Sequence, residues 1–123
     1  MAKAVNSDVL DAAIAVVRTA TKMVALATQP ADYSTATAQA LASVTMAPAD
    51  FGVPAAGVID GRRTTVGAKS GVAVGVAGSA NYVALTDPGT SRLLYVTTCP
   101  AQALVTGGTV SFSAWDIEFG QPV

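Results

Sequence analysis

The stretch Thr109-Val110-Ser111-Phe112-Ser113-Ala114-Trp115-Asp116-Ile117-Glu118-Phe119 carries a contradiction on which the fold turns. Val110, Phe112 and Ala114 alternate and share one face of an extended chain. Trp115, Ile117 and Phe119 then continue with the opposite parity. Strand side chains alternate faces with a period of two, so one regular strand cannot turn both sets inward. The pattern predicts an extra residue near Ala114, either a β-bulge or a strand that changes sheets there.

Working outward from this point, the second half of the chain reads as short strands. Arg62 to Ala68, Val72 to Val76, Tyr82 to Thr86 and Leu93 to Thr98 are rich in Val, Thr and aromatic residues, and Gly, Asn, Ser or Pro separate them. Lys69-Ser70-Gly71 and Asp87-Pro88-Gly89 read as tight turns, since Pro presets φ and Gly accepts positive φ. Val72, Val74 and Val76 share one face. Nearer the N-terminus, Lys22 to Thr28 and Leu41 to Met46 read as two further strands. Gln29 to Gln39 between them reads as a polar loop anchored by Tyr33. Pro48, Gly52, Pro54 and Gly57 break up an irregular contact loop over 48–60.

One helix is expected, over about 7–20. Asn6 or Ser7 can cap it, Asp8 and Asp11 suit its positive end, and Arg18 suits its negative end. Leu10, Ala13, Ile14 and Val17 form its apolar stripe. The expected architecture is mainly β with one N-terminal helix: an antiparallel β-sandwich or barrel in a single domain, 1–123. The expected core anchors are Leu10, Ile14, Tyr82, Leu94, Trp115 and Ile117.

Composition narrows the function classes. Hydrophobic residues make up 51% of the 123, but 25 are Ala and 17 are Val, so each buried side chain removes little apolar area from water. Such a thin core suggests that neighbouring subunits supply part of the stability. Only 12% of residues are charged, about half the usual share. A net charge of −1 with no basic run argues against nucleic acid as a partner. Leu93 to Trp115 carries no charge but is studded with Thr, Ser, Gln, Gly and Pro, which makes it a poor membrane span. Asp8 and Asp11 interrupt the early apolar stretch, so no secretory signal is read, and the chain is expected to be made in a cytoplasm.

Chemistry finds little to use. The absence of His removes Ser-His-Asp, Cys-His and His-metal arrangements. The single Cys99 cannot close an intrachain disulfide and reads as a small buried residue. Asp116 and Glu118 share a strand face and are read as solvated. Arg62 and Arg63 read as strand-start charges, with a carboxylate contact across a subunit boundary as the sharper alternative. Trp115 reads as a core anchor more readily than as an interface hot spot. No enzyme activity, metal or cofactor is expected.

Asn81-Tyr82-Val83-Ala84-Leu85, Leu93-Leu94-Tyr95-Val96-Thr97-Thr98-Cys99, Gly107-Gly108-Thr109-Val110 and Ala114-Trp115-Asp116-Ile117-Glu118 together resemble short tailed-bacteriophage virion proteins. Leu10-Asp11-Ala12-Ala13, Met23-Val24-Ala25-Leu26, Gln29-Pro30 and Tyr33 extend the likeness, which is weakest between Ala47 and Asp60. The resemblance implies a capsid decoration (cement) or head-fibre protein on the capsid surface. It implies the major capsid protein and copies of itself, as a homotrimer, for partners. A fibre, tail or head-tail component acting as a binding module is the alternative, and that role wants exposed aromatics, for which Tyr33 and Phe51 are the candidates. The expected contact residues are Met1, Ala2, Lys3, Phe51, Val53, Arg62, Arg63, Gln121 and Val123, on the termini (1–6 and 120–123) and at the contact loop.

Overall fold

The computed structural model describes residues 6–57 and 61–120. Helix α1 (Ser7–Val17) is followed by β1 (Lys22–Leu26), α2 (Tyr33–Ala38), β2 (Ala42–Thr45) and a 3-10 turn (Pro48–Asp50). Strands β3 (Ala55–Ala56), β4 (Arg62–Val66), β5 (Lys69–Ala73), β6 (Gly78–Asp87), β7 (Arg92–Leu104), β8 (Thr109–Phe112) and β9 (Trp115–Phe119) complete the chain. The fold is mainly β with an N-terminal helix and several antiparallel sheets.

The sheets run β2-β1-β6-β7, β3-β4-β9 and β5-β8, and every pair within them is antiparallel. The parity slip is resolved by a change of sheet. Residues 109–112 pair with β5, and after Ser113 and Ala114 residues 115–119 pair with β4. Phe112 and Ile117 are thereby both buried in one cluster despite their opposite parity. Among the described residues the sheets close no barrel.

All three sheets feed a common apolar cluster. Met23 faces Leu85 and Ala25 faces Val83 across the β1–β6 pair, and these meet Val66 and Ile117 from one small sheet and Val72 and Phe112 from the other. The opposite face of the β1–β6 pair is also buried, through Val24, Leu26 and Ala84. Helix α2, whose Ala36 is buried, lies against β1 and β7. A sheet covered on both faces needs continuous rather than alternating hydrophobicity, and Met23 to Leu26 supply it.

Helix α1 starts where the Asp8 amide donates to the Asn6 side chain at 2.7 Å. It ends at Val17, three residues short of the expected end, and the Thr19 hydroxyl donates to the Val16 carbonyl at 2.6 Å. Leu10, Ile14 and Val17 are buried, and the helix packs on β4, β9 and β7. Of the expected anchors, Leu10, Ile14 and Ile117 are buried. Tyr82, Leu94 and Trp115 are only partly buried against the two clusters, because β7 and β9 lie at sheet edges and Tyr82 is on the thinly covered outer face.

Four local expectations are corrected. The polar loop at 29–39 contains α2, capped where the Thr35 amide donates to the Asp32 carboxylate at 2.8 Å; six residues are too few for a periodic signal. Lys69-Ser70-Gly71 is no turn but the start of β5, with Gly71 at φ 65° in a register shift against β8. The chain passes between sheets at Gly67 instead, whose amide donates to the Asp50 carbonyl at 2.7 Å. Strand β7 runs six residues past Thr98, through Pro100, which an edge strand tolerates. Val76, expected on the face of Val72 and Val74, lies beyond β5 and is exposed while those two are buried.

Candidate functional site

The residues expected to meet partners do not form one surface. Met1, Ala2, Lys3, Gln121 and Val123 lie outside the described residues, as do positions 58–60 of the contact loop. Phe51 is corrected from contact residue to core: it is 3% exposed, bridges to Val66 and belongs to the common cluster. Its burial follows from the turn before it, where Asp50 accepts from the Ala47 amide at 2.7 Å and pairs with Lys69 at 2.9 Å. Lys69 first, and the Ala47 amide second, hold the Asp50 carboxyl below its ordinary range. Among the described residues of this loop, Val53 is a large apolar residue left 76% exposed.

Arg62 and Arg63 both find their carboxylates within the chain. Arg62 reaches Asp11 of α1 at 2.7 Å and donates to the Pro54 carbonyl at 3.2 Å, tying the helix to β4. Arg63 reaches Asp116 at 3.0 Å and donates to the Ala56 carbonyl at 3.1 Å. Both begin β4, as the strand-start reading expects, and the carboxylates they hold lie within the chain. Adjacent strand residues point to opposite faces, so the two arginines serve two different partners.

The Asp116 and Glu118 face is a cross-strand polar patch. Thr65 lies directly opposite Asp116 and donates to it at 2.6 Å, while Arg63 lies opposite Glu118. The Thr65 hydroxyl, helped by Arg63, holds the Asp116 carboxyl below its usual range. A general base needs a proton affinity near the working pH, so this arrangement does not suit acid–base work. Among the described residues no group of His, Cys, Asp or Glu gathers to hold a metal ion. Among them, too, no helix is long and apolar enough to cross a membrane.

The structure adds a feature that residue-by-residue reading missed. A cleft of about 480 Å³ opens between β7 and the corner where β8 passes into β9. Ala25, Ala80 and Val83 reach its floor, Thr97 to Pro100 form one wall, and Val110 to Asp116 form the other. Tyr95 and Trp115 meet across the two strands, their ring centroids 5.9 Å apart. The Trp115 Nε1 is buried with no hydrogen-bond partner among the described residues. Cys99 lies on the β7 wall with its Sγ 3.8 Å from the Ala80 carbonyl, and burial pushes its thiol pKa up, away from the reactive thiolate. The signal that points here is the charge-free run from Leu93 to Trp115, which supplies most of both walls. Comparison with known proteins finds no matching family model, no matching curated protein and no matching solved structure.

Proposed function

We propose that this chain is a non-enzymatic structural protein of a bacteriophage virion, a decoration or cement protein that stabilises the head by packing on its capsomers. The observation that carries the reading is the placement of the charge-free run. Between Leu93 and Trp115, Thr98, Pro100 to Ala103, Val105 to Gly107, Thr109, Ser111, Ser113 and Ala114 are all exposed. Exposed charge is what keeps a monomer apart from its neighbours, so a long uncharged surface favours burial in an assembly. The resemblance to tailed-phage virion proteins supplies the kind of assembly. Its partners are the major capsid protein and copies of itself, as a homotrimer on the capsid surface.

The fibre or tail reading calls for exposed aromatics on loops. Phe51 is buried and Tyr33 half-buried, so the residues that would favour it are engaged elsewhere. A shell component that binds only the assembled lattice shifts the equilibrium toward intact particles by mass action. Particles lacking the protein should lose their DNA at lower temperature, and adding it back should restore them. Equal heat resistance with and without the protein, or immunogold label confined to the tail, overturns the proposal.

A further inference from the structure

We infer that the cleft between β7 and the β8–β9 corner is a strand-binding groove that takes an extended, uncharged segment of a partner polypeptide. Both walls are sheet edges. Among the described residues, β7 ends the four-stranded sheet, β9 ends the three-stranded one, and β8 pairs only with β5. An edge presents a row of unpaired N–H and C=O groups at strand spacing, and an added strand is the ligand that matches such a row along its length.

The occupant's chemistry follows from the lining. Asp116 is the only charged residue there, and Arg63 and Thr65 already hold its carboxylate. A charged side chain entering the groove would give up its hydration without gaining a counter-charge. Among the described residues the buried Trp115 Nε1 lacks an acceptor, and a backbone carbonyl of a docked strand supplies one. Ala25 and Ala80 at the floor leave depth for every second side chain of that strand.

The shape has a local cause. Tyr95 and Trp115 hold β7 and β9 together at one end. Beyond them the β6–β7 register shifts: Tyr82 pairs with Thr98 but Ala80 with Gln102, so β7 carries two extra residues around Pro100. A bulge of this kind disrupts the ladder and tends to bend its strand, and it falls in the stretch of β7 that walls the cleft. The edge of a second copy is a poor fit, because its β7 is flanked by its own β6, whereas a free segment can enter a groove walled on both sides.

The inference goes beyond the proposed function and is tested without any particle, so either can fail alone. Trp115 is the only tryptophan, so its emission reports on this groove. The probe is a displayed library of ten-residue peptides of uncharged residues, with a matched library carrying Lys or Glu at alternate positions. The uncharged library should yield binders that shift Trp115 emission to the blue. The variants Thr98→Lys and Ser113→Lys, at exposed wall positions, should weaken labelled binders at least tenfold with an unchanged melting temperature. Trp115→Phe, read by peptide anisotropy, should weaken them by about tenfold through loss of the indole donor. The inference is overturned if the uncharged library gives no advantage, if binders leave Trp115 emission unmoved, or if the Lys variants bind equally well. It is also overturned if emission shifts with protein concentration alone, which would mark a second copy as the occupant.

Discussion

Strands β6 and β7 form one hairpin from similar residues, yet they live in different environments. Val83, Ala84, Leu85 and Thr86 of β6 are at most 8% exposed. Their neighbours on β7, Leu93 to Thr97, are half-buried, and Pro100 to Ala103 are exposed. The difference is position. Strand β6 has β1 on one side and β7 on the other, whereas among the described residues β7 has a neighbour on one side only. Charge does little to protect the edge: Arg92 is its only charge, and that guanidinium is turned to Asp87 and Thr90 in the hairpin turn, which leaves Pro100 and the bulge around it to interrupt the strand. Hydropathy alone therefore says where strands are, and the order of strands says which of them is left open.

The sharpest way to break this contrast is to place a charge on each strand. Leu85→Asp should abolish the folded state, because an unpaired carboxylate would sit in the common cluster. Ala103→Asp on β7 should change stability by no more than about 0.5 kcal/mol, as exposed substitutions do. Circular dichroism melts of both variants decide it, and similar losses would show that β7 is not an open edge.

Truncation gives a finer measure. Leu85→Ala should cost about 2–5 kcal/mol, the range for a large aliphatic side chain removed from a sealed site. Leu94→Ala should cost less than half as much as Leu85→Ala, since Leu94 is already partly in water. Urea unfolding of the pair reads the ratio directly, and a ratio near one would count against the packing described.

Acid should separate the polar supports from the apolar centre. Asp50 and Asp116 have folded-state pKa values depressed by Lys69 with the Ala47 amide, and by Thr65 with Arg63. A depressed folded pKa means that the unfolded chain takes up protons first as pH falls. The stabilisation is thus present above the unfolded value of about 3.9 and is lost as pH drops through the folded value. The melting temperature should hold from neutral pH to about 5 and fall below about 4. The double variant Asp50→Asn with Asp116→Asn should flatten that acid limb, and an unchanged limb would mean these contacts contribute nothing.

A small effect is expected at Cys99. Cys99→Ser should lower stability by about 1 kcal/mol or less, since the site is half-buried and opens on the cleft. Alkylation of the thiol, by contrast, puts bulk into the groove and should weaken peptide binding there. Equal binding before and after alkylation would separate Cys99 from the groove.

Much of the fold was legible before any coordinates. The apolar stripe of α1, the continuous apolar run of β1, the Asp87-Pro88-Gly89 turn and the parity change at Ala114 are short-range patterns. Each follows from backbone geometry that repeats every two or every 3.6 residues, so a single chain read in order suffices. Helix α2 escaped because six residues with an Asp32 cap leave no period to detect. The choice between bulge and sheet change at Ala114 also lay beyond the sequence, because both devices absorb the same slip.

What only the tertiary structure decided is who stands beside whom. Phe51 looked like a loop aromatic until Asp50, held by Ala47 and Lys69, turned it toward Val66. Arg62 and Arg63 read as strand-start charges, and only the fold brings Asp11, 51 positions away, and Asp116, 53 positions away, within their reach. The unpartnered Trp115 donor and the groove beside it arise only where β7 and the β8–β9 corner come to face each other. Local geometry is written in neighbouring residues, but burial and pairing depend on contacts between distant ones, and many arrangements of the same strands satisfy the same local rules.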